Sequence, residues 1–423
     1  MRYAVAIALI VVLSPFSGIV LGEYEQDGID NFESTSIMES YSIPVQLAFD
    51  RAEDISRYSE DEILNTKGWL VVTGIPLKEH TKSLSNPISS IETKVLPGSY
   101  IWELEDGVKA VETLTKAMEI GEIESFSPLI ETEHTKKFYP NDPEFGSQWH
   151  LENSGQTGGL SGEDANLTGA WNSFNGSGIV ISIVDDGLDI SHPDIAPNYD
   201  QSASYDWCND DSDPTPLSFD GHGTAAAGVA GATGNNSIYV SGAAFGASLA
   251  GSTLIACSIN DFDESQALSY ENDYIDIYSN SWGPSDTGGI LDGPGPLMTA
   301  AFENDIFQGR DGLGNIITWA AGNGLTNDDD SNYDGYANSR YTIAVTAITH
   351  LGEQSYYAEP GANILVASHS NGDGEAITTT DIVGSGGYNS SGNVTDTFGG
   401  TSSATPLVSG IIALMLEANQ NLT

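Results

Sequence analysis

Four short strings, far apart in the chain, carry side chains that can do chemistry together. They are Val184-Asp185-Asp186-Gly187, His222-Gly223-Thr224, Ala321-Gly322-Asn323-Gly324 and Gly400-Thr401-Ser402. In chain order they offer a carboxylate, an imidazole, an amide and a hydroxyl. A serine hydroxyl is a poor nucleophile near neutral pH unless an imidazole takes its proton. The imidazole in turn needs a carboxylate to fix its tautomer and steady its charge. A tetrahedral intermediate also needs hydrogen-bond donors aimed at its oxygen. Asp185, His222 and Ser402 fit the first three roles. The Asn323 amide and the Ser402 backbone N–H fit the fourth. This is the equipment of a hydrolase.

These residues need a scaffold, and the surrounding text describes one. Ile179 to Val184 is a run apolar at all but Ser182, as expected of a strand buried on both faces, and Asp185 follows at its C-terminal end. Residues 275–279 and 316–320 read as further buried strands, with Ser281 and Asn323 just beyond them. His222 to Gly228 is built of small residues, which allows a helix to pass close beside a sheet. Residues 403–418 read as an apolar helix with Ser402 at its mouth, where the helix N-terminus adds partial positive charge. Sites in open parallel sheets collect at the carboxyl ends of strands. The expected fold is therefore α/β, a parallel sheet with helices on both faces. Residues 44–131 read as a separate small α+β unit. Strands are expected at 68–72, 99–102 and 126–130, with a helix whose face is marked by Val108, Val111, Leu114 and Met118.

The chain has 423 residues, with 13 Lys+Arg against 60 Asp+Glu and a formal charge of −47. Such a surface repels nucleic acid and anionic membranes and attracts cations and basic peptides. Most of the carboxylates serve solubility. Met1-Arg2, the apolar stretch from Ala4 to Leu13 and the small residues before Gly22 read as a signal peptide over residues 1–22. No later segment reads as a membrane span, so export to the outside or the cell surface is expected. Cys208 and Cys257 form one disulfide or remain two thiols; the sequence does not choose. Thr135-Lys136-Lys137 is a dibasic pair in a chain poor in basic residues. It reads as a processing site between a pro-segment at 23–137 and an enzyme at 138–423.

Further strings carry a resemblance to a known family: Val184-Asp185-Asp186-Gly187-Leu188, Tyr278-Ser279-Asn280-Ser281-Trp282-Gly283-Pro284, Leu291-Asp292-Gly293-Pro294, Asp334-Gly335-Tyr336 and residues 410–419. From about Tyr139 onward the chain resembles the subtilisin-like serine proteases, in their kexin/furin branch of proprotein convertases. The resemblance implies that Asp185, His222 and Ser402 are the triad and Asn323 the oxyanion residue. It implies a pro-segment that inhibits the enzyme and guides its folding. It also implies more helices and a β-rich domain beyond Thr423.

The branch cuts after basic residues, and matching positions imply where those would bind. Asp286 and Asp334 correspond to the carboxylates gripping the side chain just before the scissile bond. Glu264, Asp292 and Tyr336 correspond to a pocket three residues further upstream, and Asp186 to a wall of the pocket between. A buried guanidinium needs carboxylates in bidentate reach. The chain departs from the branch at Phe219, where convertases carry an Asp, and at Ala225-Ala226, where they carry Arg-Cys. A preference for Arg before the cut is expected, with a looser demand at the preceding position.

The resemblance also implies two calcium sites, one at Asp142, Asp194 and Asn236 and one at Asp286, Asp329 and Glu359. Calcium favours six to eight oxygen ligands. Tyr239, Ser331, Gly361 and Val394 stand where the branch has cysteines, which leaves more of the stability to ions. Other readings of the same text are a broad-specificity exported protease and a non-catalytic calcium-binding module.

Overall fold

The computed structural model describes residues 52, 55–73, 87–104, 106–130 and 137–423. The signal peptide, the acidic lead after it and the first two residues of Thr135-Lys136-Lys137 lie outside the described residues. Those described fall into two compact units, 52–130 and 137–423.

The smaller unit is an antiparallel sheet of β1 (Gly68–Val72), β2 (Ser89–Glu92), β3 (Ser99–Glu103) and β4 (Ser125–Pro128), in the order β2-β3-β1-β4. Trp69 pairs with Trp102 across β1 and β3, and both are buried. Helix α1 (Glu60–Asn65) begins with a capping box between Ser59 and Glu62. Helix α2 (Gly107–Glu119) starts where the Asp106 carboxylate accepts the N–H groups of Val108 and Lys109. Its buried face is Ala110, Leu114 and Ala117, while Val108 and Met118 are exposed. The helix is therefore rotated from the expected face. Ala110, Leu114 and Ala117 share one core with the buried Trp69 and Trp102, and Val111 packs at its margin.

The larger unit contains a seven-stranded, wholly parallel sheet. Its strands are β5 (Val180–Asp185), β6 (Tyr205–Asp206), β7 (Ser248–Thr253), β8 (Ile277–Asn280), β9 (Ile316–Ala320), β10 (Ile343–Ile348) and β11 (Ile364–His369), ordered β11-β10-β9-β8-β5-β7-β6. A hairpin of β12 (Ile377–Thr380) and β13 (Val394–Phe398) stands apart. The helices are α3 (Leu167–Ala170), α4 (His222–Gly231), α5 (Asp261–Ser269), α6 (Pro296–Gly312, regular only before Gly309) and α7 (Thr401–Ala418).

Strand β5 explains the layering. Ile181 and Ile183 pack with Ala226, Val229 and Leu407 of α4 and α7. Val180 and Val184, one residue out of phase, pack with Leu268, Met298 and Phe302 of α5 and α6. A run that is apolar except for the buried Ser182 thus feeds two cores, each apolar side chain contributing about 1.5–3 kcal/mol when fully buried. Helix α7 is long and apolar enough to cross a membrane by length and composition, but most of it is buried as a core helix. Cys208 and Cys257 are disulfide-bonded, which decides between the two possibilities open from sequence.

Candidate active site

The four strings come together around the carboxyl ends of three neighbouring strands. Asp185 ends β5, Ser281 follows β8, and Asn323 follows β9. Asp185 is buried and takes the Nδ1 of His222 with both oxygens, at 2.8 and 3.0 Å. That contact makes Nδ1 the protonated nitrogen and leaves Nε2 facing the cleft. Phe398 lies edge-on to the His222 ring at 5.4 Å. Burial opposes the charged imidazolium. The Asp185 charge, its hydrogen bond and the Asp186 charge outweigh that penalty and push His222 up to about 9.

Asp186 does something the sequence did not indicate. Its oxygens accept the backbone N–H of His222 at 3.1 Å and of Gly223 at 2.7 Å. It therefore caps α4 from outside, satisfying donors that a helix N-terminus leaves open. Burial, and then the neighbouring Asp185 charge, raise Asp186 to about 7.

Ser402 is the second residue of α7, so its N–H has no acceptor within the helix. Gly400 supplies the tight entry turn at φ 74°. Asn371 and Ser370 hold that turn: Gly400 N–H donates to Asn371 Oδ1 at 2.7 Å, and Ser370 Oγ donates to the Gly400 carbonyl at 2.7 Å. Asn323 Oδ1 accepts from the Thr401 N–H at 2.8 Å and its hydroxyl at 3.1 Å. This fixes the amide with Nδ2 turned away from Thr401, on the side of the Asp286 carboxyl, which the amide helps hold down. The Ser402 hydroxyl donates to the Ser281 carbonyl at 3.2 Å, and Ser281 Oγ returns a bond to the Ser402 carbonyl at 3.0 Å. No hydrogen bond joins Ser402 to His222 in this arrangement. The second bond from Ser281 has a covalent cause. Pro406 lacks the N–H that would reach the Ser402 carbonyl within the helix. Ser370, Asn371, Phe398 and Pro406 were not selected from sequence, and Ser281 was placed at a strand end without a role. A proline inside an otherwise regular apolar helix was the one visible signal.

The predicted acidic residues gather on the β8–β9 side. A pocket is lined by Pro284, Ser285, Asp286, Ala321, Gly322 and Asp334, with Asp329 and Glu359 beside them. Asp286 accepts the Asn323 N–H at 3.0 Å, so the pocket is tied to the residue holding the α7 entrance. Burial raises the Asp286 carboxyl and pushes Asp334 up to about 7. Asp334 and Asp292 sit side by side as a parallel β-bridge. The Tyr336 hydroxyl donates to Glu264 at 2.9 Å, and burial is the first cause raising Glu264.

Carboxylate oxygens of Asp286, Asp329 and Glu359 all lie within 4.8 Å of one another. Burial, then the neighbouring charges, push Glu359 up to about 7. Three hard oxygen donors this close, two of them buried, fit a divalent cation such as calcium. The other set also comes together. Asp142 accepts the N–H groups of Asn235 and Asn236 at 2.6 and 3.0 Å. Asp194 accepts the Asn236 amide at 2.9 Å and the Val240 N–H at 3.0 Å. Burial raises Asp194 to about 6. The positions lacking cysteine are neighbours as well. An added Gly361 Cβ would lie 2.9 Å from that of Ser331, and the Asn393 amide, one residue before Val394, donates to the Tyr239 hydroxyl at 3.0 Å.

Residues 176–423 match the subtilase family, Peptidase_S8, and the chain belongs to that family of serine endopeptidases. Its relatives include a PC3-like endoprotease variant B of Hydra vulgaris, 43% identical over 293 residues that cover 67% of this chain and 40% of the relative. Furin of Homo sapiens is 40% identical over 291 residues, 67% of this chain and 35% of furin. The chain thus spans well under half the length of these relatives. Among solved structures, the serine protease of Aeromonas sobria superimposes with a TM-score of 0.63 at 28% identity, covering 69% of this chain and 57% of that one. A protease of Pseudoalteromonas arctica gives 0.55 at 25% identity, over 67% and 88%.

Proposed function

We propose that this protein is a secreted, calcium-dependent serine endopeptidase that cuts after basic residues, Arg in preference. The observation that carries the reading is the two-oxygen grip of Asp185 on His222, beside the α7 entrance that bears Ser402. The Ser402 hydroxyl turns from the Ser281 carbonyl toward Nε2, His222 takes its proton, and Oγ attacks the scissile carbonyl. The resulting oxyanion rests on the Ser402 N–H and the Asn323 amide. His222 then protonates the leaving amine, and water releases the acyl group by the reverse sequence. Asp286 and Asp334 receive the guanidinium of the residue before the cut, while Glu264, Asp292 and Tyr336 receive one further upstream. A calcium ion held by Asp286, Asp329 and Glu359 would offset the repulsion among three carboxylates and stiffen the pocket floor. Asp142, Asp194 and Asn236 would hold a second. Residues 1–22 direct export, and residues 23–137 act as an internal inhibitor removed after Lys137.

The test is N-terminal sequencing of the secreted product, wild type beside Ser402→Ala, with fluorophosphonate labelling of both. A product beginning at Phe138 in the wild type, an unprocessed mutant, and label only on the wild type are expected. Absence of label on Ser402 in the wild type would overturn the reading.

A further inference from the structure

Resting on the endopeptidase reading, we propose that the wall beside His222 selects an apolar side chain at the substrate residue immediately before the basic one. The sheet order sets the geometry. Asn323 and the acidic pocket stand on the β8–β9 side, while Asp185 and His222 stand on the β5 side. Neighbouring side chains of an extended peptide point in opposite directions. When one enters the acidic pocket, the one before it faces the His222 wall.

That wall is apolar and open. Phe219, three residues before His222, is 75% exposed; Leu217 is 60% and Tyr388 44%. The two loops bearing them are pinned together, with the Gly387 N–H donating to the Ser218 carbonyl at 2.9 Å. Tyr388 leans on Phe398 at 5.8 Å, the same ring that lies against His222. This makes the patch continuous with the site rather than a stray surface feature.

The nearby carboxylates are turned inward. Both oxygens of Asp186 are bonded to the His222 and Gly223 N–H groups. Asp381 is fully buried and accepts the N–H groups of Ile382, Tyr388 and Asn389. One oxygen of Asp220 is buried and unbonded, aimed away from solvent. A cationic side chain at this wall would meet rings, a weak attraction at an exposed site, in place of an outward-facing carboxylate. A leucine or phenylalanine would cover apolar surface that is otherwise wet.

The experiment uses the full chain and two peptide chloromethyl ketones, ending Phe-Arg and Lys-Arg, competing with fluorophosphonate label at Ser402. The Phe-Arg reagent should protect about tenfold faster. Phe219→Leu should keep that order, and Phe219→Asp, at an exposed position, should reverse it. Equal or faster protection by Lys-Arg in the wild type overturns this inference alone. So does an unchanged order in Phe219→Asp. Loss of the Lys-Arg reaction in Asp220→Asn would show that Asp220 reads a cation there, which likewise overturns this inference alone. No label at Ser402 under any condition overturns the endopeptidase reading, and this one with it.

Discussion

Asp186 holds His222 by the backbone, one oxygen on the His222 N–H at 3.1 Å and the other on the Gly223 N–H at 2.7 Å. The adjacent Asp185 holds the same residue by its ring. Consecutive carboxylates at the end of β5 thus fix both the start of α4 and the imidazole it carries. Their charges also favour the imidazolium, which is the wrong form for a general base. Turnover should therefore rise with pH as His222 loses its proton. Asp186→Asn keeps one acceptor but removes a charge that raises His222. The acid limb of the kcat/KM profile should move to lower pH by about one unit. A limb that stays in place, or moves upward, contradicts the coupling.

Substitutions at the reacting groups should differ in size. Asp185→Asn leaves the shape intact but presents the wrong tautomer of His222, with a loss of about 10⁴ in kcat. Asn323→Ala removes one oxyanion donor and should cost about 10²–10³ in kcat with KM little changed. Steady-state kinetics on an Arg-ended peptide separate the two.

Asp334→Asn should act on recognition. A guanidinium paired with Asp286 and Asp334 loses one partner, at a cost of about 3–5 kcal/mol. The kcat/KM for Arg-ended peptides should fall by more than two orders of magnitude, and that for Leu-ended peptides should barely move. Equal losses on both would mean that Asp334 does not read the basic side chain.

Chelation should strike the same region. Without a cation, the clustered carboxylates of Asp286, Asp329 and Glu359 repel one another while Asp286 also holds the Asn323 N–H. Treatment with EGTA should lower both Tm and kcat, and added calcium should restore them. Asp329→Asn should need more calcium for the same recovery. A Tm indifferent to chelator and calcium would dismiss the site.

The Cys208–Cys257 bond closes a loop with a sequence separation of 49. Loop entropy alone assigns it about 4 kcal/mol of stability. Reduction, or the double substitution to serine, should lower the urea midpoint accordingly while the transition stays cooperative. An unchanged midpoint would mean that the loop is already ordered by other contacts.

The sheet was legible because its buried strands are mostly apolar, with only single small polar residues such as Ser182 and Thr318 among them. Residues 316–320 match β9 residue for residue, and β5 and β8 fall within two residues of expectation. The residues that meet at the strand ends were legible because small neighbours mark them: Gly223 beside His222, Gly322 and Gly324 beside Asn323, Gly400 before Ser402. Contacts that depend on three-dimensional partners were not. The rotated face of α2 follows from Trp69 and Trp102, which lie elsewhere in the chain. The inward turn of Asp186 follows from where α4 begins. The pairing of two cysteines follows from the parallel pairing of β6 with β7, which brings the segments after both strands together. None of these is encoded in local spacing.

Pro406 sits four positions past Ser402, buried inside α7. By withholding one amide hydrogen it leaves the Ser402 carbonyl to a neighbouring strand end, through Ser281. The entrance of the helix is thereby anchored to the sheet instead of to its own next turn. A shift of the helix entrance would strain both bonds between Ser402 and Ser281, so the residue just past β8 shares in keeping that side chain in place.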